Sequence, residues 1–380
     1  MARAWSRFFS RTRLVVALLA IAFTVSQIYI LLFSDLYSLL PNLEIIYHED
    51  GTNDLGLAGD FSIKTDDHGF KVTKPVNYGE KARLRIFAIG GSTTEQSCLP
   101  NVFTWPHFLQ EQLDQSLGDG VEVVNAGLSG LRARHYLATL KAILSHHPDL
   151  VIFTSGGTDW REHIRQHFAD RNPRATVNRH ARLGRLGHKT YSLRSLWRRF
   201  FPPEPIHSPP TFCLRKLRTL ADLSFANKAL KRTGLGMGSL DLADKRTFKP
   251  EAVWEEYSSS LEKIGATCKS AGVPCLFVDY ANGYRPDLPE IYRLSFRATP
   301  GGVPYTLDLD SLIWIARLYN EYTVDFARRN GFPTCEVVAQ MPPGPDYFFD
   351  DIHFNYWGSQ RFAGLLFDCI REQLPGLLQK

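Results

Sequence analysis

The chain has 380 residues, enough to bury a sizeable hydrophobic core in one large domain or two smaller ones. Its composition, with 44% hydrophobic and 22% charged residues, excludes a globally disordered chain, a collagen and a disulfide-dense miniprotein. The formal net charge of +5 is modest, so the distribution of charge along the chain is more informative than its total.

The first predicted element is the apolar run at residues 14–33, which contains no charged residue. A helix of this length spans about 30 Å, the thickness of a membrane's hydrocarbon core. Residues 1–13 carry four arginines and no acidic residue, and basic residues remain on the cytoplasmic side. We therefore predict a cytoplasmic tail (1–13), an uncleaved transmembrane signal anchor (14–33) and a periplasmic or extracellular remainder. A signal peptide cleaved near residues 20–22 is the alternative.

Residues 34–82 are rich in turn residues, and we expect them to be a lead-in that packs on the main domain at 83–375. Within that domain, the short apolar runs at 84–91, 121–130 and 150–157 each end in glycine, which is typical of buried parallel strands. Helices are predicted at about 105–117, 133–145, 251–271 and 309–329, with further strands at 273–280 and 334–338. This alternation predicts an α/β fold with a central parallel sheet, whose functional groups collect where the strands end.

A basic, proline-containing insertion at about 161–250 interrupts the alternation. Between residues 161 and 232 there are seventeen Lys or Arg residues against four Asp or Glu residues. Such charge suits an anionic polymer or phospholipid headgroups, whereas a solvated loop is the alternative. No nucleic-acid recognition module is visible, so we expect no nucleic-acid partner.

The six cysteines show no spacing typical of metal ligands. An extracytoplasmic domain permits disulfides, and Cys268 and Cys275 are the closest pair in sequence. Buried free thiols are the alternative, because spacing alone does not determine the pairing.

Ser92 follows the first buried strand within the run IGGSTTE. Glycines permit a sharp turn from strand to helix, which exposes a hydroxyl beside backbone N–H groups that can stabilise an oxyanion. The spacing differs from that of a phosphate-binding Walker motif. Ser92 is therefore a candidate nucleophile.

Near the C-terminus, His353 follows Asp350 by three residues in the run FDDIHFNYWG. A carboxylate in this position can orient the imidazole and leave its other nitrogen free to deprotonate a serine. Asp351 is the alternative acid.

Taken together, these segments resemble the SGNH hydrolase family. Four ordered blocks carry the resemblance: 90–93 (GGST), 125–130 (NAGLSG), 156–159 (GGTD) and 350–353 (DDIH). Residues 67–71 (DHGFK) also resemble the N-x-x-G-F-R lead-in of some members. The resemblance implies a flavodoxin-like three-layer sandwich, a catalytic triad of Ser92, Asp350 and His353, and an oxyanion hole formed by Ser92, Gly130 and Thr158.

The departure from the family pattern is Thr158, which replaces an asparagine whose side-chain N–H serves the oxyanion. A threonine hydroxyl donates one hydrogen bond and reaches less far. Shifting the register by one residue would place Asp159 there, and its charge would repel an oxyanion.

The remaining histidines and tryptophans near these blocks can be explained without a catalytic or metal-binding role. His163 and His167 have helical i, i+4 spacing without a third metal ligand, so we expect no metal site and no cofactor. Trp160 and Trp357 lie beside the family blocks, either as core residues or as walls of an acyl or sugar pocket.

The expected function is a membrane-anchored serine esterase that deacylates a carbohydrate or a cell-envelope polymer. Its substrate would be a small acyl ester or an acylated glycan, and an acidic polymer would suit the basic insertion. One alternative is an O-acetyltransferase that uses the same triad on a glycan. Another is a weakly catalytic glycan-binding protein with the same fold. Thr158, in place of the family's asparagine, motivates this alternative.

Overall fold

The computed structural model describes residues 15–22, 24–25, 39–169, 204–208, 213–222, 224, 228, 244–294, 296 and 305–378. The predicted cytoplasmic tail lies outside these ranges, as does most of the basic insertion. Of the predicted anchor, residues 15–22 and 24–25 are helical, and the others lie outside the described part of the chain. Among the helices described, none has both the length and the apolar character needed to cross a membrane.

The strands are numbered in chain order. They are β1 (Glu44–Asp50), β2 (Ala58–Lys64), β3 (Leu84–Gly90), β4 (Val121–Asn125), β5 (Leu150–Thr154), β6 (Ile206–Ser208), β7 (Lys245–Arg246), β8 (Cys275–Val278), β9 (Thr306–Leu307) and β10 (Thr334–Cys335). The α-helices that follow the lead-in are α1 (Ser92–Glu95), α2 (Trp105–Leu117), α3 (Ala133–Ile143), α4 (Gly157–Ala169), α5 (Glu255–Ala271), α6 (Glu290–Arg293), α7 (Leu309–Arg329), α8 (Tyr356–Arg371) and α9 (Leu374–Leu377).

The core of the described domain is a parallel sheet with the strand order β10-β8-β5-β3-β4. Every residue of β3 and β5 is buried, which means that both faces of the sheet are covered. Helix α2 packs against α8, while α3 packs against α5 and α4 against α7. The predicted α/β fold with a central parallel sheet is thus confirmed.

The strand order reverses beside β3, because the chain continues from β3 to β4 on one side and returns to β5 on the other. In open α/β sheets, ligands bind at the carboxyl ends of the strands at such a reversal. The turns that follow β3, β4 and β5 therefore meet at one edge, which is where the sequence motifs lie.

The lead-in is joined to the main sheet. Strands β1 and β2 form an antiparallel hairpin, and β6 adds to β1 in parallel. Phe70 is buried in the main core, and the backbone of Lys71 exchanges two hydrogen bonds with Asn125 at the end of β4 (3.1 and 3.2 Å).

The structure pairs the six cysteines in three disulfides. They are Cys98–Cys213, Cys268–Cys275 and Cys335–Cys369. The first joins the loop after α1 to a described part of the insertion, and the others tie elements at the far edge of the sheet, around β8 and β10.

Candidate active site

The turn between β3 and α1 presents Ser92. A side chain at Gly90 would collide with the hydroxyls of Thr94 and Thr154, which themselves lie 2.5 Å apart. Only glycine fits at position 90, because the two threonines approach the end of β3 closely there, directly before α1 begins at Ser92. Ser92 is half-buried, unlike the fully buried strand that precedes it.

A chain of hydrogen bonds links Ser92 to the C-terminal motif. The Nε2 atom of His353 lies 2.6 Å from the Ser92 hydroxyl oxygen. On the other side of the ring, Nδ1 lies 2.8 and 3.0 Å from the two carboxylate oxygens of Asp350. Asp350 is completely buried, and its Oδ1 also accepts the backbone N–H groups of Ile352 and His353. The carboxylate is therefore held by its own loop in the position that orients the imidazole.

The neighbouring Asp351 faces elsewhere. Its carboxylate accepts hydrogen bonds from the Arg161 guanidinium (3.3 and 3.4 Å) and from the Tyr284 hydroxyl. Of the two adjacent aspartates, Asp350 is thus the one that contacts His353.

The loops that carry the expected oxyanion-hole residues lie against the turn that carries Ser92. A Cβ built on Gly91 would lie 3.5 Å from the Thr158 hydroxyl oxygen and 3.5 Å from the Leu131 carbonyl oxygen. Gly130 has a φ of +78°, a left-handed conformation that favours glycine. Within the described part of the chain, the backbone N–H groups of Ser92 and Gly130 have no protein acceptor. Both remain available to a ligand.

Asp159 is directed away from the nucleophile. Both of its carboxylate oxygens accept the backbone N–H of Ala133 (3.1 and 3.2 Å) at the start of α3. Burial raises the pKa of Asp159 to about 7, although the Ala133 hydrogen bond opposes this. Thr158, rather than Asp159, therefore faces the nucleophile turn.

Lys71 is buried and contacts the end of α1, the helix that begins at Ser92. This contact was not predicted from the sequence. Its Nζ donates to the carbonyl oxygens of Glu95 (2.7 Å) and Gln96 (3.2 Å) at the end of α1. Burial lowers the pKa of Lys71 to about 8, against the attraction of the Glu95 carboxylate. The only sequence signal was its place in the lead-in motif DHGFK.

Next to the triad, part of the insertion packs on the C-terminal loop. Phe349 stacks on His353, with ring centroids 5.4 Å apart, and shares a buried apolar cluster with Leu214. The Nζ atom of Lys216 lies 4.6 Å from the ring centre of Trp357, which is half-buried. A cation and an aromatic ring thus lie on elements that flank the triad.

Trp160, His163 and His167 each pack against an aromatic residue. Trp160 is completely buried and packs on Tyr280, so it belongs to the core. His163 and His167 both contact the ring of Phe248. Among the described residues, the side chains with metal-ligand proximity are Asp66, Asp67 and His68, in the turn before Phe70 rather than at the triad.

Comparison with known proteins gives one family. The family model described as GDSL-like Lipase/Acylhydrolase matches residues 88–361, well over half of the chain. No curated protein matches the chain.

Several solved structures match the chain at low sequence identity. The α/β hydrolase LAE5 from the metagenome of Lake Arreo, Spain, is 15% identical with a TM-score of 0.40, over 77% of this chain and 97% of that one. The acetylxylan esterase Axe2 from Geobacillus stearothermophilus is 13% identical with a TM-score of 0.39, over 76% and 94%. The psychrotrophic esterase EstA from Pseudoalteromonas sp. is 11% identical with a TM-score of 0.37, over 77% and 98%. Similarity at this level does not identify a substrate.

Proposed function

Because the chain belongs to the GDSL-like lipase/acylhydrolase family and is an esterase, we propose that Ser92 is its nucleophile. His353 is the general base, and Asp350 orients it. The observation that carries the proposal is the pair of hydrogen bonds of 2.6 Å from Ser92 to His353 and 2.8 Å from His353 to Asp350. A serine next to an oriented base is the arrangement that activates a hydroxyl for attack on an acyl group.

The reaction is a two-step acyl transfer. The Ser92 oxygen attacks the ester carbonyl while His353 accepts its proton at Nε2. The carbon–oxygen bond to the alcohol then breaks, and the imidazolium returns the proton to the departing alkoxide. Water, deprotonated by the same imidazole, then attacks the acyl-enzyme. The bond between the acyl carbon and the Ser92 oxygen breaks, the imidazolium returns its proton to that oxygen, and a carboxylic acid leaves.

The oxyanion of each tetrahedral intermediate is stabilised by three donors. Two are the backbone N–H groups of Ser92 and Gly130, and the third is the Thr158 hydroxyl. The proximity of Thr158 to the turn at Gly91 and the absence, among the described residues, of a protein acceptor for both N–H groups support this assignment. Donors fixed before the reaction cost no reorganisation as charge develops.

The proposed substrate is an acylated carbohydrate or cell-envelope polymer, preferably an acidic one. The support is the excess of positive charge in the insertion and the placement of Lys216 over Trp357 on elements that flank His353. An aromatic face packs on sugar rings, and a cation attracts carboxylates.

The proposed location is outside the cytoplasm, with residues 14–33 as a membrane anchor. The arginine-rich N-terminus supports this orientation. The three disulfides are in accord with it, because such bonds persist in oxidising compartments.

The test compares the full chain with Ser92→Ala, using p-nitrophenyl acetate and a fluorophosphonate probe. Ser92→Ala should lose probe labelling and at least about 10³-fold in turnover, because the attacking oxygen is gone. Ser97→Ala, a nearby half-buried serine, is the matched control and should behave as the wild type. Undiminished labelling of Ser92→Ala would refute the assignment.

The substrate class is tested by acetate release from acetylated acidic and neutral polysaccharides. Faster release from the acidic polymer, with the preference lost at high salt, is expected. Equal rates would contradict the charge argument. Transfer of the acetyl group to an added sugar, without free acetate, would indicate the transferase alternative.

A further inference from the structure

An ion pair between a half-buried arginine and a buried aspartate lies beside the proposed triad without belonging to it. Asp351 is completely buried, and its carboxylate is bonded to Arg161 and to the Tyr284 hydroxyl. Within the described residues, the buried Nε of Arg161 has no partner, so Asp351 is the acceptor that holds this guanidinium. A buried charge is stabilised only when it is paired, so the buried carboxylate of Asp351 depends on Arg161 and on the Tyr284 hydroxyl.

Arg161 and Asp351 lie on two different elements, each of which carries a proposed active-site residue. Arg161 lies three residues after Thr158 on α4, and residues with this spacing share a helix face. Asp351 lies between Asp350 and His353. The ion pair therefore connects the helix that carries an oxyanion donor to the loop that carries the base.

The backbone of that loop is fixed by two further contacts. The N–H of Gly283 donates to the carbonyl oxygen of Asp351 (2.7 Å), and the Tyr292 hydroxyl donates to that of Asp350 (2.7 Å). These bonds hold the loop against β8 and α6. The ion pair with Arg161 is the contact that holds it against α4.

We propose that Arg161 and Asp351 are positioning residues, whose ion pair holds Thr158 and His353 in register around Ser92. The inference rests on the proposed function, in which those residues act on the same intermediate. A displacement of about 1 Å between catalytic groups can cost about 100-fold in rate. Loss of the ion pair should therefore lower kcat while leaving KM nearly unchanged.

The charges of Arg161 and Asp351 should also affect the pH dependence of the reaction, which a purely structural role in packing would leave unchanged. The titratable groups that interact electrostatically with Asp350 or Asp351 in this loop are Arg161 from α4, Tyr280 and Tyr284 after β8, and Tyr292 on α6. Removing the positive charge of Arg161 leaves Asp351 as an uncompensated negative charge in the loop between Asp350 and His353, so the midpoint of the pH–rate profile should rise. Removing the negative charge of Asp351 should lower that midpoint.

The experiment measures kcat, KM and the pH dependence of kcat/KM for Arg161→Met, Asp351→Asn and the double variant. Each single variant should lose about 10- to 100-fold in kcat, with opposite shifts of the midpoint that cancel in the double variant. Arg161→Lys, which keeps the charge, should keep the wild-type midpoint. Arg165→Met is the matched control, because Arg165 lies one turn later on α4 and pairs with Glu162 instead.

The Arg161 and Asp351 variants test the positioning role, and Ser92→Ala tests the proposed function. Unchanged kcat and midpoint in both folded single variants, or shifts in the same direction, would overturn the positioning role. If Arg161→Met does not fold, Asp351→Asn decides, because its amide oxygen can still accept from Tyr284. Turnover that survives Ser92→Ala would refute the proposed function instead, whatever the Arg161 variants do.

Discussion

Thr158 supplies a hydroxyl at a position where the SGNH pattern has a carboxamide. The hydroxyl faces the nucleophile turn, as the distance of 3.5 Å from a Cβ built on Gly91 indicates. A hydroxyl is shorter than an amide and must orient its single proton toward the oxyanion. The threonine should therefore stabilise the transition state less well than an asparagine would.

We predict that Thr158→Asn raises kcat for p-nitrophenyl acetate by roughly 10-fold. The estimate is a fraction of the roughly 10²- to 10³-fold effect of removing an oxyanion donor in a serine protease. Thr158→Val, which keeps the shape and removes the hydroxyl, should lower kcat. Equal kcat in all three proteins would show that position 158 does not touch the oxyanion.

At the level of single residues, the sequence predicted the turn before Ser92 but not the contacts that fix it. The glycines before Ser92 predicted a tight turn, and the structure explains Gly90 by two threonine hydroxyls on separate elements. The family spacing favours Asp350 over Asp351, but the order of residues alone does not show which carboxylate faces His353. That direction is set by Arg161 and Tyr284, which lie far away in the chain.

Among the elements, the short helix α1 depends on a residue outside the main domain. Its last carbonyl groups accept hydrogen bonds from Lys71, which is 3% exposed. A cation is favourable at the C-terminal end of a helix because carbonyl groups there lack intrahelical partners. The lead-in thus supports the turn that carries Ser92.

This contact predicts a dependence of stability on pH. Burial lowers the pKa of Lys71 from 10.5 to about 8, so the folded state releases its proton at a lower pH than the unfolded state. Between pH 8 and 10 the unfolded chain binds more protons, and the contribution of Lys71 to the free energy of unfolding rises with pH. We expect wild type to gain on the order of 3 kcal/mol relative to Lys71→Met across this window.

The measurement is urea unfolding of both proteins at several pH values. Taking the difference between them removes the titration of the tyrosines, which both share. A difference that stays constant from pH 7 to pH 10 would contradict the lowered pKa.

The elements themselves were largely predictable. Helices α2 and α7 have the bounds that their periodicity predicted, and the glycine-ended apolar runs correspond to β3, β4 and β5. Sequence patterns could not give the pairing of β6 with β1, because it joins residues more than 150 positions apart in the chain. Such pairing depends on the closure of a long loop and not on local preference.

At the scale of the whole molecule, Cys98–Cys213 closes the longest loop of the three disulfides, with a sequence separation of 115 residues. Cys268–Cys275 closes a loop of 7. In the chain-entropy description, a cross-link stabilises by restricting the unfolded chain, and more so for longer loops.

We therefore predict that Cys98→Ser/Cys213→Ser lowers the free energy of unfolding by about 5 kcal/mol, whereas Cys268→Ser/Cys275→Ser lowers it by about 2 kcal/mol. The first variant should also lose activity, because Leu214 packs with Phe349, which stacks on His353. Unfolding in urea and turnover of p-nitrophenyl acetate measure both effects. Equal losses of stability in the two variants would contradict the loop-length argument.

The distance along the chain between Ser92 and His353, 261 residues, has a consequence for biosynthesis. A ribosome that has completed β3 to α4 has made the proposed nucleophile and both loops of the proposed oxyanion hole, but not the proposed base. Helix α8, which covers α2, comes later still. With the proposed triad, a growing or truncated chain holds an unactivated serine, and we expect hydrolysis to begin only after His353 has been synthesised and has folded onto the rest.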